Sequence, residues 1–199
     1  CIRDSVRQWE SAVERMALIF TNLQAHGIRL KSLNLGGGFP VRYLRDVPKV
    51  EELAFSIKDT MAKYFGKELP AIMLEPGRCI TAEAGLLRSE VVLVSKKSHN
   101  AEERWVYLDV GKFGGLAETM NEAILYPLRT QENDSAKGPV IIAGPSCDGV
   151  DVLYQNSRYQ LPLTLKSGDY VDILCAGAYT ASYAAAEFNG FLPLREYYL

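Results

Sequence analysis

Imidazole and thiol are both scarce in this sequence. His26 and His99 are the only histidines, and Cys1, Cys79, Cys147 and Cys175 lie far apart with no CxxC pair. These spacings spell no zinc site, so no metal is expected and the thiols are read as reduced. Charge of one sign is missing too. The 22 basic residues face 24 acidic ones for a net charge of −2, which leaves no electrostatic footprint for nucleic acid or for an anionic membrane surface. No apolar run approaches the roughly 20 residues of a membrane span, and Cys1-Ile2-Arg3-Asp4 lacks the charged and apolar regions of a signal peptide. A cytoplasmic protein is expected. The chain also opens inside a helical pattern without an initiator methionine, so it is expected to be part of something longer.

What is there can form a core. With 48% hydrophobic residues, 199 positions suffice for one large or two small domains. Val6, Trp9, Val13, Ala17, Phe20 and Leu23 recur at helical spacing over residues 5–26, with Ser5 and Gln8 as a capping box and Gly27 as the stop. Lys31–Leu35 reads as a short buried strand that runs into three glycines. Val50–Phe65 reads as a second amphipathic helix, with Leu53, Ile57, Met61 and Tyr64 inward and Gly66 closing it, and Ala71–Leu74 as another strand. This alternation predicts a parallel α/β layer with ligand loops at the carboxyl ends of the strands. After about Gly85 the pattern turns to β, with runs at Leu87–Val94, Trp105–Val110, Tyr126–Thr130, Val140–Ala143, Tyr159–Leu165 and Tyr170–Leu174. Short helices are predicted at Leu116–Ala123 and Ala181–Glu187, and Gln131–Gly138 is predicted to be an exposed hairpin loop. No internal repeat is present.

Several segments carry chemistry. Gly144-Pro145-Ser146-Cys147-Asp148-Gly149 follows an apolar strand, and its glycines and proline make Cys147 and Asp148 project from a loop, a thiol beside a carboxylate. A buried thiol filling space is the other reading of a single cysteine. Gly36, Gly37 and Gly38 follow a strand and suit either a backbone phosphate cradle or a tight strand-to-helix turn. Glu75-Pro76-Gly77-Arg78 ends the next strand with an anion for a cationic ring nitrogen and a guanidinium for a phosphate, or with a plain salt bridge. Tyr179, after Gly177-Ala178, offers a hydroxyl to a ligand or is a buried tyrosine with a backbone partner. Glu118 and Glu122 stand one turn apart and by default form a solvated acidic face. Neither histidine carries a pattern.

Taken in order, Leu35-Gly36-Gly37-Gly38-Phe39-Pro40, Glu75-Pro76-Gly77-Arg78, Asp109-Val110-Gly111-Lys112-Phe113-Gly114, Gly144-Pro145-Ser146-Cys147-Asp148, Gly177-Ala178-Tyr179 and Phe188-Asn189-Gly190-Phe191 resemble the pyridoxal phosphate-dependent basic amino-acid decarboxylases that share a fold with alanine racemase, most closely the bacterial ornithine decarboxylase branch. The resemblance implies an α/β plus β fold. Residues 1–86 would be the later strands of a (β/α)8 barrel, and residues 87–199 a mainly antiparallel β domain whose last segment returns toward the barrel. It implies pyridoxal 5′-phosphate as cofactor, held by Gly36, Gly37, Gly38, Gly77, Arg78 and Tyr179, with Glu75 on the pyridinium nitrogen. Cys147 then resembles the proton donor to the product carbon, and Asp148 the partner of a distal ammonium, with Glu122, or less surely Glu118, as a second acid. Relatives acting on diaminopimelate tend to have glutamate after that cysteine, so Asp148 favours ornithine, giving putrescine, or lysine.

One departure stands out. The family binds its cofactor covalently through a lysine in the N-terminal half, and none of the ten lysines here sits in that context. The resemblance therefore implies a missing N-terminal half, and a homodimer with shared active sites once it is present. Lysine, arginine and diaminopimelate decarboxylases on the same scaffold, a non-catalytic regulatory homologue and a phosphate-ligand barrel of other chemistry are the competing readings.

Overall fold

Helix α1 (Glu10–Ala25) follows from the spacing of Trp9, Val13, Met16 and Phe20, which set one apolar stripe on the core side. The computed structural model describes residue 7 and residues 9–132 and 134–199, so Val6 and the Ser5/Gln8 capping box lie outside the described residues. The helix stops where His26 donates its Nδ1 proton to the Asn22 carbonyl at 2.8 Å and Gly27 takes φ +80°. The chain divides into two compact units, Cys1–Ile80 and Thr81–Leu199.

In the first unit, strands β1 (Ser32–Asn34) and β2 (Ala71–Met73) pair in parallel, and helix α2 (Val50–Phe65) spans the connection between them. The Glu52 carboxylate accepts the Lys49 amide at the start of α2, and Gly66, at φ +61°, ends it. Trp9, Val13, Leu33, Leu35, Leu53, Ile57 and Met61 form the buried cluster, with Phe39 against Trp9 at 5.1 Å and Phe20 edge-on to Phe65 at 5.1 Å. The inward set expected for α2 holds, with Tyr64 half-buried. Ala71, Ile72 and Met73, by contrast, are all exposed. Parallel strands ordinarily have both faces covered, and here side chains on both faces of β2 are exposed.

The second unit is a seven-stranded sheet. Its strands are β3 (Leu87–Ser95), β4 (Arg104–Leu108), β5 (Leu128–Thr130), β6 (Lys137–Ala143), β7 (Val152–Tyr154), β8 (Gln160–Pro162) and β9 (Tyr170–Ile173). The order is β5-β9-β3-β4-β6-β7, with β8 also on β6; the β4–β6 pair is parallel and the others are antiparallel. Alternation places Leu87, Ser89 and Val91 of β3 and Val106 and Leu108 of β4 inward. Arg104 is buried beside them, and its guanidinium donates to the carbonyls of Leu161 at 2.8 Å, Pro162 at 2.9 Å and Gly138 at 3.4 Å.

Three expectations are corrected. Gln131–Gly138 is not a hairpin loop: among the described residues β5 pairs with β9 alone, while β6 pairs with β4, β7 and β8 and not with β5. The helix expected over Leu116–Ala123 is a 3₁₀ stretch, Ala117–Glu122, broken where Asn121 and Glu122 take φ +53° and +55°. The one expected over Ala181–Glu187 shrinks to a single turn, Ala181–Tyr183, because Ala184 is extended and Glu187 is left-handed at φ +61°. Strand β7 is an addition that no sequence signal announced. No helix among the described residues is long and apolar enough to cross a membrane.

Candidate cofactor and substrate site

In the first unit the end of β1 carries Asn34, then the glycine run. Gly36 and Gly38 lie at φ +69° and +84°, a region that only glycine enters without strain. A Cβ on Gly37 would stand 2.4 Å from the Glu75 carbonyl oxygen. Beyond Gly36 the run therefore offers the Gly37 and Gly38 amides and no side chains, a nest-like arrangement suited to an anion. The Glu75 amide donates to the Gly36 carbonyl at 3.0 Å, which locks the end of β2 to the run. Asn34 joins the two again, donating to Glu75 Oε1 at 2.6 Å and accepting the Gly36 amide at 2.8 Å. Arg78 is half-buried and donates Nη1 to the Tyr43 hydroxyl at 2.8 Å, which aims its guanidinium.

Glycine amides, a guanidinium and an oriented carboxylate fit a ligand with a phosphate at one end and a protonated ring nitrogen at the other. These residues fit pyridoxal 5′-phosphate. Sequence reasoning marked Gly36, Gly37, Gly38, Glu75, Gly77 and Arg78, and the structure gathers them at the ends of two paired strands. It missed Asn34 and Tyr43. A short polar side chain just ahead of a glycine turn is the signal that points to Asn34.

In the second unit Cys147 and Asp148 stand on an exposed loop after β6, and Cys147 has a left-handed backbone at φ +58°. The Cys147 thiol points to the Pro145 carbonyl at 3.8 Å, and Asp148 Oδ1 accepts the Val150 amide at 2.9 Å. Among the described residues Cys79, Cys147 and Cys175 are in no disulfide, and burial pushes the Cys79 and Cys175 thiols up from the ordinary value. Tyr179 is 38% exposed at φ +55° with its ring tilted against Tyr183 at 5.3 Å.

Glu122 is not the solvated acid that helical spacing implies by default. Its Oε1 accepts the Gln155 and Asn156 amides at 2.9 and 2.6 Å, and its Oε2 accepts the Ser157 hydroxyl. Desolvation is the largest single influence on this carboxyl and raises it, yet the donors together hold it below the usual range. It is ionised and braces the loop between β7 and β8. Left-handed backbone at Glu122, Cys147 and Tyr179 alike is strain of the kind that surrounding structure must over-determine.

Glycine amides and a guanidinium near an oriented carboxylate make a set that a pyridoxal-type cofactor would fit. The chain belongs to the pyridoxal-dependent decarboxylases, whose C-terminal sheet domain matches residues 14–177. It is 30% identical over 190 residues to the diaminopimelate decarboxylase of Staphylococcus aureus (strain COL), covering 92% of this chain and 44% of that one. It is 32% identical over 189 residues to the lysine/ornithine decarboxylase of Selenomonas ruminantium, covering 94% of this chain and 45% of that one. The crystal structure of lysine/ornithine decarboxylase from Vibrio vulnificus complexed with cadaverine superposes with a TM-score of 0.82 at 28% identity, over 96% of this chain and 50% of that one. The chain thus spans about half the length of these relatives.

Proposed function

We propose that this chain is part of a pyridoxal 5′-phosphate-dependent enzyme that decarboxylates a basic diamino acid, ornithine before lysine. The observation that carries the reading is the Cys147-Asp148 pair, displayed on an exposed loop whose backbone is held in a left-handed turn. Bound pyridoxal 5′-phosphate supplies the electron sink for loss of carbon dioxide. Gly36 to Gly38, Gly77 and Arg78 would hold the phosphate, and Glu75, oriented by Asn34, would face the ring nitrogen. Cys147 hands a proton to the correct carbon of the product, a task suited to a mobile thiol proton. Asp148 pairs with the distal ammonium. Glu122 adds negative charge from a loop that it also braces.

The relatives support the class of substrate. One is a lysine/ornithine decarboxylase and another a diaminopimelate decarboxylase, so diaminopimelate is the second reading. The aspartate after Cys147 favours ornithine or lysine. The catalytic lysine and the remaining barrel strands belong to the half of those relatives that this chain does not span, and the complete enzyme is a homodimer with shared sites.

The test mixes the 199-residue chain with such an N-terminal half and measures carbon dioxide release from ornithine, lysine, arginine and diaminopimelate. Release from the mixture but not from the chain alone, with ornithine or lysine preferred, is expected. Asp148→Asn should weaken ornithine far more than cofactor, since removing one partner of a desolvated charge pair costs about 2–5 kcal/mol. No release from any of the four, or equal losses for substrate and cofactor, refutes the proposal.

A further inference from the structure

Asp151 has no role in the chemistry above, yet it is among the most buried charged residues of the second unit, at 2% exposure. All its partners are donors. Oδ1 accepts the Lys112 amide at 2.7 Å, while Oδ2 accepts the Ser146 hydroxyl at 2.6 Å and the Ser146 amide at 3.2 Å. A Cβ on Gly111 or Gly144 would stand 2.2 and 2.4 Å from carboxylate oxygens of Asp151, so both loops need glycine where they pass it. Its own backbone closes the turn: the Asp151 amide donates to the Asp148 carbonyl at 3.0 Å, and its carbonyl accepts the Gly144 amide at 2.8 Å.

Ser146 is consequently pinned on every polar atom. Its amide and hydroxyl go to Asp151, and its carbonyl accepts Asn189 Nδ2 at 2.8 Å. The next residue is Cys147, whose left-handed backbone is unfavourable for a side chain with a Cβ. We infer that Asp151, acting through Ser146 and seconded by Asn189, is the positioning residue that holds the Cys147 thiol and the Asp148 carboxylate in their exposed turn. The inference rests on the proposed roles of Cys147 and Asp148. A carboxylate is needed because three donors converge on it, and an amide would turn an NH₂ group toward one of them.

The test uses Asp151→Asn, Ser146→Ala and Asn189→Ala, with Asp172→Asn as a control elsewhere in the same sheet. In the 199-residue chain, Asp151→Asn should speed hydrogen exchange at the Lys112 and Ser146 amides by about tenfold or more, while Val106 and Ile142 keep their protection. Alkylation of Cys147, followed by peptide mass, should change in Asp151→Asn and Ser146→Ala. The double variant should do no more than Asp151→Asn alone. In the completed enzyme the same two variants should raise the share of product protonated at the wrong carbon with cofactor affinity unchanged. Unaltered exchange at Lys112 and Ser146, equal loosening of the strand amides, or the same changes in Asp172→Asn overturns the inference. So does loosening without a shift in products. If the wild-type assembly releases no carbon dioxide while exchange and alkylation respond as expected, the functional reading fails and the clamp stands. Should Asp151→Asn not fold, Ser146→Ala and Asn189→Ala decide through the Cys147 alkylation rate.

Discussion

Replacing Asn34 probes how the glycine run and the carboxylate of the first unit are coupled. One side chain donates to Glu75 at 2.6 Å and accepts from Gly36 at 2.8 Å. A hydrogen bond to a charged group contributes about 1.5–3 kcal/mol and a neutral one about 0.5–1.5 kcal/mol. Asn34 and Glu75 are both exposed, which places each bond at the low end, so Asn34→Ala removes about 2 kcal/mol of site organisation. Expressed fully in binding, that is roughly a 30-fold loss of cofactor affinity. Asn34→Asp keeps the acceptor for Gly36 but sets a second carboxylate against Glu75. At the 2.6 Å of the present contact two like charges repel by about 1.6 kcal/mol even at the dielectric constant of water. The aspartate variant should therefore bind cofactor more weakly than the alanine variant, and added salt should narrow the gap. Fluorescence titration of pyridoxal 5′-phosphate into the assembled enzyme, at low and high salt, measures both. Equal affinity in all three proteins, or tighter binding by Asn34→Asp than by Asn34→Ala, would refute the coupling.

Asp172 lies between Arg88 and Arg129 on neighbouring strands, with contacts at 2.7 and 2.9 Å. Hydrogen bonding from Arg88 is the main cause that holds its carboxyl below the usual range, with Arg129 adding to it against the opposing effect of burial. A depressed folded value means stability that is complete above the unfolded value of about 3.9 and lost as pH falls through the folded one. Because both arginines are more than half exposed, Asp172→Asn should cost about 1–2 kcal/mol at pH 7. In urea denaturation the difference from wild type should shrink as the pH falls below about 4, and a pH-independent difference counts against the triad. Gly37→Ala should destabilise the first unit by about 1–3 kcal/mol and weaken cofactor binding, since its Cβ meets backbone, which cannot swing away; an unchanged melting temperature excludes the close approach. Arg104→Met strips donors from the carbonyls of Leu161, Pro162 and Gly138 and should cost about 2–4 kcal/mol, with Arg104→Lys restoring only part. Full recovery by lysine, read from denaturation midpoints, would mean that charge alone matters there.

The features readable from the sequence are those whose cause is local. Helix α2 has the bounds Val50–Phe65 that its periodicity predicts, and Gly27 and Gly66 stop their helices through a backbone that only they enter freely. The loop segments Gly36–Gly38, Glu75–Arg78 and Gly144–Gly149 declare themselves because glycine and proline mark where a strand must end. Pairing is another matter. That β6 lies parallel to β4, with β7 and β8 also on it, depends on contacts between distant runs, and an apolar strand carries no label for its neighbour. The same limit governs the site. Asn34 reaches Glu75 across 41 positions, Asp151 reaches Lys112 across 39, and Asn189 reaches Ser146 across 43. Glu122 looks like half of an exposed acidic helix face until its turn goes left-handed and the Gln155–Ser157 loop closes on its carboxylate. Residue type and spacing set what chemistry the loops carry. Which polar groups hold those loops in place was decided only by folding, because a hydrogen bond needs both partners at one point in space and the chain brings them there through its tertiary path.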